Sequence, residues 1–212
     1  MEYIKEYTNQ LMALYRGEKI KINVHFIVSE PLSSFCVETN KEIGKLTAGL
    51  IDFGVESIIL PHISLYMGFV DSYEMLKRVF QSVELYANEV KPFTFDATTM
   101  NFRGVSSSAP QYLFIDSKQN DYLMQQKSIL DKMLSGISYP NDWNMKDERA
   151  HITVGCYKQL QQSVREMVDL SKKIPSCRIS QIGVSLSGKR GVCLSLLKVF
   201  DLDKRNSKSI LV

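Results

Sequence analysis

Residues 20–28, "IKINVHFIV", alternate: Ile22, Val24, Phe26 and Val28 share one face and His25 takes the other, which predicts a strand with one side on a core. Strands are likewise predicted over 62–70, 93–102, 111–116, 151–157, 177–187 and 192–202. Between them, 33–51, 71–90, 120–134 and 159–173 space their apolar residues three and four apart, the period of an amphipathic helix. Asp71 or Ser72 is the expected N-cap of the second helix and Pro92 its breaker, and Gly54 is expected just beyond the first. Gly188-Lys189-Arg190-Gly191 predicts a hairpin turn. At the start of the chain, Ile4, Tyr7, Leu11 and Leu14 predict a further amphipathic helix packed on the body.

The order strand, helix, strand, helix, strand runs twice. The expected fold class is therefore α/β, a single bilobal domain over 1–212 with a helix in 1–19, a first pseudo-repeat at 20–104 and a second at 111–202. The run "GVSSSAP" (104–110) is the expected boundary, and the last ten residues are polar enough to fray.

Composition narrows function only a little. With 44% apolar and 23% charged residues in 212, this is an ordinary globular chain. A net charge of +3 is too mild to identify a nucleic-acid surface, though it suits a small anionic ligand in one local cleft. Cys36, Cys156, Cys177 and Cys193 have no metal-binding spacing, and Cys156 and Cys193, inside apolar runs, are expected as buried thiols. The first residues are too charged for a signal peptide and no run approaches a membrane span, so the expectation is a cytoplasmic protein, without membrane contact and monomeric.

The chain's few histidines then change the picture. "PHIS" (61–64) and "AHIT" (150–153) open the third element of each repeat. On a strand, residues two apart share a face about 6.5–7 Å apart, so His62, Ser64 and Tyr66 are expected together, and so are His151, Thr153, Gly155 and Tyr157. If the two strands meet across a pseudo-two-fold axis, two imidazoles and two hydroxyls converge. One neutral and one protonated imidazole can move a proton on each side of a single centre. The hydroxyls can hydrogen-bond a phosphoryl oxygen as charge builds on it. No metal or cofactor motif accompanies them, so the expected chemistry is phosphodiester cleavage with neither.

In these motifs and in the duplicated unit around them, over about residues 20–202, the chain resembles the two-histidine (2H) phosphoesterases. The resemblance implies a bilobal fold of two antiparallel sheets flanked by helices, with a central cleft. It also implies that one histidine activates a nucleophile, that the other protonates the leaving oxygen, and that Ser64 and Thr153 hold the phosphate. Ala150 departs from the proline common at that place, and Ser64 stands where threonine is commoner.

The expected substrate is a nucleotide or short oligonucleotide: a 2′,3′-cyclic phosphate, a 2′,5′-linked oligoadenylate, a cyclic oligonucleotide or an RNA 3′ end. The alternative is a binding module that senses or sequesters such a nucleotide. Tyr66, Tyr139, Trp143, Arg149 and Tyr157 are secondary candidates for substrate contact; Tyr66 and, more so, Tyr157 could instead line the sheet, and Trp143 could plug its loop. His25 is expected as a partly exposed structural histidine, while Lys189, Arg190 and Arg103 are either phosphate contacts or solvated charges.

Overall fold

The computed structural model describes residues 2–51, 53, 60–103, 110–141, 149–158, 165–166, 168 and 170–203. Its elements, in chain order, are α1 (Glu2–Tyr15), β1 (Ile20–Ile27), α2 (Leu32–Gly44), β2 (His62–Val70), α3 (Tyr73–Glu89), β3 (Phe93–Phe95), β4 (Ala97–Arg103), β5 (Gln111–Ser117), α4 (Asn120–Leu134), β6 (Tyr139–Pro140), β7 (His151–Tyr157), β8 (Cys177–Ile179), β9 (Gln181–Ser187) and β10 (Cys193–Asp201).

Local chemistry sets several boundaries. Ser72 caps α3 by accepting from the Met75 amide at 3.2 Å, and Leu76, Val79, Val83, Tyr86 and Ala87 form its buried stripe. The first predicted helix ends at Gly44, earlier than expected. Two predicted strands each break after three residues, at Asp96 and at Ser180. Their leading pieces, β3 and β8, pair with each other as a separate two-stranded sheet. Most of the helix expected at 159–173 lies outside the described residues; within it, Arg165 and Glu166 are helical.

The main sheet runs β10-β9-β1-β2-β7-β5-β4, antiparallel throughout, with β6 added along β2. Two smaller sheets, β10-β9-β1-β2 and β7-β5-β4, meet at one paired position, Ile63 opposite Ile152. About that join the order is symmetric: each motif strand pairs with the first strand of its own half. That first strand in turn pairs with a late strand of the other half, β9 beside β1 and β4 beside β5. The lobes are thus built by strand exchange, whereas the repeats in the sequence are consecutive.

Both motif strands carry a β-bulge at the same place. Opposite β1, the register slips between Val24/Tyr66 and His25/Ser64, leaving Leu65 as the extra residue. Opposite β5, it slips between Leu113/Gly155 and Phe114/Thr153, leaving Val154 extra. A bulge frees backbone groups from the ladder. The Val154 carbonyl is satisfied by Asn40 Nδ2 at 2.9 Å, and the same side chain binds the Ile51 carbonyl (3.1 Å) and the Phe53 amide (3.2 Å). Asn40 therefore ties the segment around Ile51 and Phe53 to the second motif strand.

Candidate active site

Antiparallel pairing of Ile63 with Ile152 puts His62 across from Thr153 and Ser64 across from His151. Ile63 and Ile152 are themselves fully buried, so their four neighbours face the opposite way. His62, Ser64, His151 and Thr153 line one cleft of about 460 Å³, which opens to solvent. Its remaining walls are Ile51, Phe53, Met67, Arg190, Gly191 and Val192. The convergence expected of the paired motif is present.

Each histidine is held in the same way. His62 Nδ1 lies 2.7 Å from the Leu60 carbonyl and His151 Nδ1 lies 3.1 Å from the Arg149 carbonyl, in both cases two residues back. A carbonyl only accepts, so Nδ1 carries the proton and Nε2 is the atom that exchanges one. Burial lowers the pKa of His62 below the usual imidazole value; the Leu60 and Gly191 carbonyls oppose this, and the charge of His151 adds to it. Ala150 also has a reason to differ from proline. Its amide donates to Asn120 Oδ1 at 3.0 Å, a bond proline cannot make.

The bulges decide which further side chains join the site. Beyond an extra residue the alternation reverses, so Met67 enters the cleft and Tyr66 leaves it. Tyr66 is 1% exposed, with its hydroxyl 2.7 Å from Ser138 Oγ, and Tyr157 is fully buried on the core side. The shared face expected for Tyr66, Gly155 and Tyr157 with their histidines therefore holds only up to the bulge. Each tyrosine instead lies over a glycine two residues away. A Cβ on Gly68 would come within 2.7 Å of the Tyr66 hydroxyl, and one on Gly155 would collide with the Tyr157 hydroxyl.

Tyr139 lies on the short strand β6, donates to Asp71 Oδ2 at 2.9 Å and is absent from the described cleft walls. Arg149 contributes its carbonyl to His151, and its side chain is exposed. Trp143 falls outside the described residues. Arg103 forms an ion pair with Asp116 and lies over the Phe114 ring, so it is not a solvated charge.

Asn23, His25 and Phe114 gain a part that the sequence did not give them, and Arg190 takes one that the sequence left open. Asn23 on β1 is fully buried, and its Nδ2 donates to both His62 Nε2 (3.1 Å) and Ser64 Oγ (2.9 Å). His25, also fully buried, packs its ring 4.7 Å from that of His62, and neither of its nitrogens has a hydrogen-bond partner among the described residues. The partly exposed histidine expected there is instead a buried support. Phe114 stands in the same place in the other lobe, its ring 3.9 Å from that of His151. Arg190 reaches the cleft from the turn between β9 and β10 in a left-handed conformation, φ 61° and ψ 20°. That turn is braced by α1: Glu6 Oε1 accepts from the Lys189 amide at 3.0 Å, and Gln10 Nε2 donates to the Ser187 carbonyl at 2.9 Å. Among the described residues no three His, Cys, Asp or Glu side chains cluster to hold a metal ion, and no helix is long and apolar enough to cross a membrane.

No family model matches the sequence, and no curated protein does. Solved structures do match. TT0787 of Thermus thermophilus superposes with a TM-score of 0.59 over 87% of this chain and 98% of its own, at 11% identity. E. coli LigT complexed with 3′-AMP gives 0.56 over 87% and 99%, at 15% identity. Usb1 of Kluyveromyces marxianus gives 0.50 over 88% and 100%, at 11% identity. A structure described only as a phosphoesterase gives 0.55 over 87% and 99%, at 15% identity. The resemblance read from the paired motifs is therefore met at the level of fold: the chain has the mixed α/β architecture of LigT, TT0787 and Usb1.

Proposed function

We propose that this protein is a phosphodiesterase that cleaves a nucleotide phosphodiester by paired-histidine acid–base catalysis, with no metal taking part. The observation that carries it is the two-by-two patch of His62, Ser64, His151 and Thr153 facing one cleft. One imidazole Nε2 takes a proton from the attacking water or ribose hydroxyl while the other gives a proton to the leaving oxygen. Ser64 Oγ accepts from Asn23, which leaves its own proton for a non-bridging phosphate oxygen, and Thr153 offers the same from the other strand. Arg190 supplies a cation at the rim, and Ile51, Phe53 and Met67 an apolar wall on which a ribose and base can lie.

Nucleotide binding in proteins of the same fold supports this substrate class: LigT has been solved with 3′-AMP, with NADP+ and with ATP. Within the class, the proposed substrates are 2′,3′-cyclic phosphates, 2′,5′-linked oligoadenylates and cyclic oligonucleotides. The test is turnover of such a panel in excess chelator. Wild type cleaves one class, and His62→Ala and His151→Ala each reduce its turnover roughly 10²–10⁴-fold. Cleavage that persists in either variant, or that needs a divalent metal, overturns the mechanism. Tight binding of one nucleotide without cleavage moves the assignment to a sequestering module.

A further inference from the structure

We infer that Asn23 fixes the division of labour between the two histidines, holding His62 in the neutral, base-ready form so that the proton shared by the pair resides on His151. This rests on the two-histidine function proposed above, and it deepens that reading by assigning the roles.

The inference starts from hydrogen-bond polarity. The Leu60 carbonyl claims the Nδ1 proton of His62, so in the neutral ring Nε2 presents a lone pair. The group facing that lone pair must be a donor, and Asn23 Nδ2 supplies it while binding Ser64 Oγ with its second hydrogen. A protonated Nε2 would meet a donor head-on. It is accommodated only if the amide turns over and presents Oδ1, which would then accept from both His62 and Ser64. In the orientation observed, Oδ1 is buried with no hydrogen-bond partner among the described residues. An unsatisfied buried acceptor is costly, and the two bonds made by Nδ2 compensate for it only while His62 is neutral.

The Gly191 carbonyl acts against this, and the side chains facing His62 act with it. His25 packs on its ring from β1, buried and without hydrogen bonds to the described residues, so it stays neutral and offers no negative charge. Arg190 and His151 share the cleft and oppose a second positive charge there. No carboxylate is among the described residues that line the cleft. The register of the second lobe puts no amide in the place of Asn23: Asn23 stands two residues before His25 on β1, and on β5 Tyr112 stands two before Phe114. Asn23 is thus a positioning residue that breaks the symmetry of the duplicated site. It makes His62 the general base and His151 the general acid.

The test needs no substrate, so its failure is distinguishable from failure of the proposed function. Site-resolved NMR titration of the imidazole nitrogens gives the tautomer and pKa of each histidine. In wild type, His62 carries its proton on Nδ1 and titrates at least one pH unit below His151. Asn23→Asp places an acceptor at Nε2 and raises the pKa of His62 by one unit or more, closing or reversing that order. If the turnover assay succeeds, the acid limb of its pH profile moves up with His62 in this variant. A wild-type His62 titrating at or above His151 overturns the inference, whether or not the variant folds. So does a folded Asn23→Asp protein in which the pKa of His62 is unmoved.

Discussion

His25→Phe is expected to flatten the stability of this protein toward acid. The residue is fully buried beside His62, and its pKa lies well below the ordinary 6.5, chiefly through burial and then through the charge of His62. The backbone at Phe26 pushes the other way without making a geometric hydrogen bond to the ring. A folded pKa below the unfolded one means that the unfolded chain takes up a proton that the folded chain refuses. The contribution of neutral His25 is therefore complete above about pH 6.5 and is lost as pH falls toward the folded pKa, at about 1.4 kcal/mol per unit. Each pH unit lost in that window is a sizeable share of the roughly 5–15 kcal/mol typical of a domain. Phenylalanine carries no such proton, and the protein already places one, Phe114, at the equivalent point of the second lobe. At pH 7 the exchange is expected to be nearly neutral. Two unsatisfied nitrogens disappear, but a larger ring must fit over Gly183, where an added Cβ would already lie 3.2 Å from His25 Cε1. Urea unfolding of both proteins from pH 7 to 4.5 gives the difference directly, with His62, His151 and the carboxylates largely cancelling. A difference in unfolding free energy that stays flat over that range would refute the burial argument, and one that grows toward acid, by up to about 1.4 kcal/mol per pH unit, supports it.

Two further substitutions separate stability from binding. Arg190→Gly removes a side chain from a left-handed position that favours glycine, so stability stays level or rises by up to about 1 kcal/mol. Nucleotide affinity measured by calorimetry is expected to fall at least tenfold as the cation at the rim is lost; unchanged affinity takes Arg190 out of the site. Tyr157→Phe deletes a buried hydroxyl without a partner among the described residues and is expected to stabilise the protein by about 1 kcal/mol in thermal unfolding, whereas Tyr66→Phe breaks the bond to Ser138 and destabilises it by about as much. Equal effects of the two would contradict the assignment of their partners.

The element order and the paired motif were legible because both are periodic and local: alternation marks a strand, and His-x-Ser/Thr recurs at the start of equivalent strands. The bulges were not legible. Leu65 and Val154 are ordinary apolar residues, and only the pairing partner reveals that one of them is extra. Strict alternation therefore carried Tyr66 and Tyr157 to the wrong side of the sheet and left Met67 out of the cleft. Asn23 and His25 act through cross-strand register with β2, which no window around residue 23 contains. Arg190 reads as an ordinary turn charge until α1, from the far end of the sequence, braces the turn toward the cleft. The breaks at Asp96 and Ser180 are single residues inside runs that keep their apolar character, so each pair of strands read as one.

The exchange of strands between halves bears on how such a chain is made. Synthesis delivers β1 and β2 early, yet the outer neighbour of β1 is β9, which exists only once residues 181–187 have been added. Until then β1 presents an open edge, with its row of unpaired amides and carbonyls exposed to any other strand nearby. The second lobe has no such wait, because β4 is already made when β5 emerges to pair with it. Assembly on the ribosome is therefore ordered against the sequence: the later half can complete its sheet first, and the earlier half closes last. A ribosome stalled between β7 and β9 would hold a chain with one finished lobe and one adhesive edge. That is the point at which a chaperone, or misassembly with a neighbouring nascent chain, has its best opportunity.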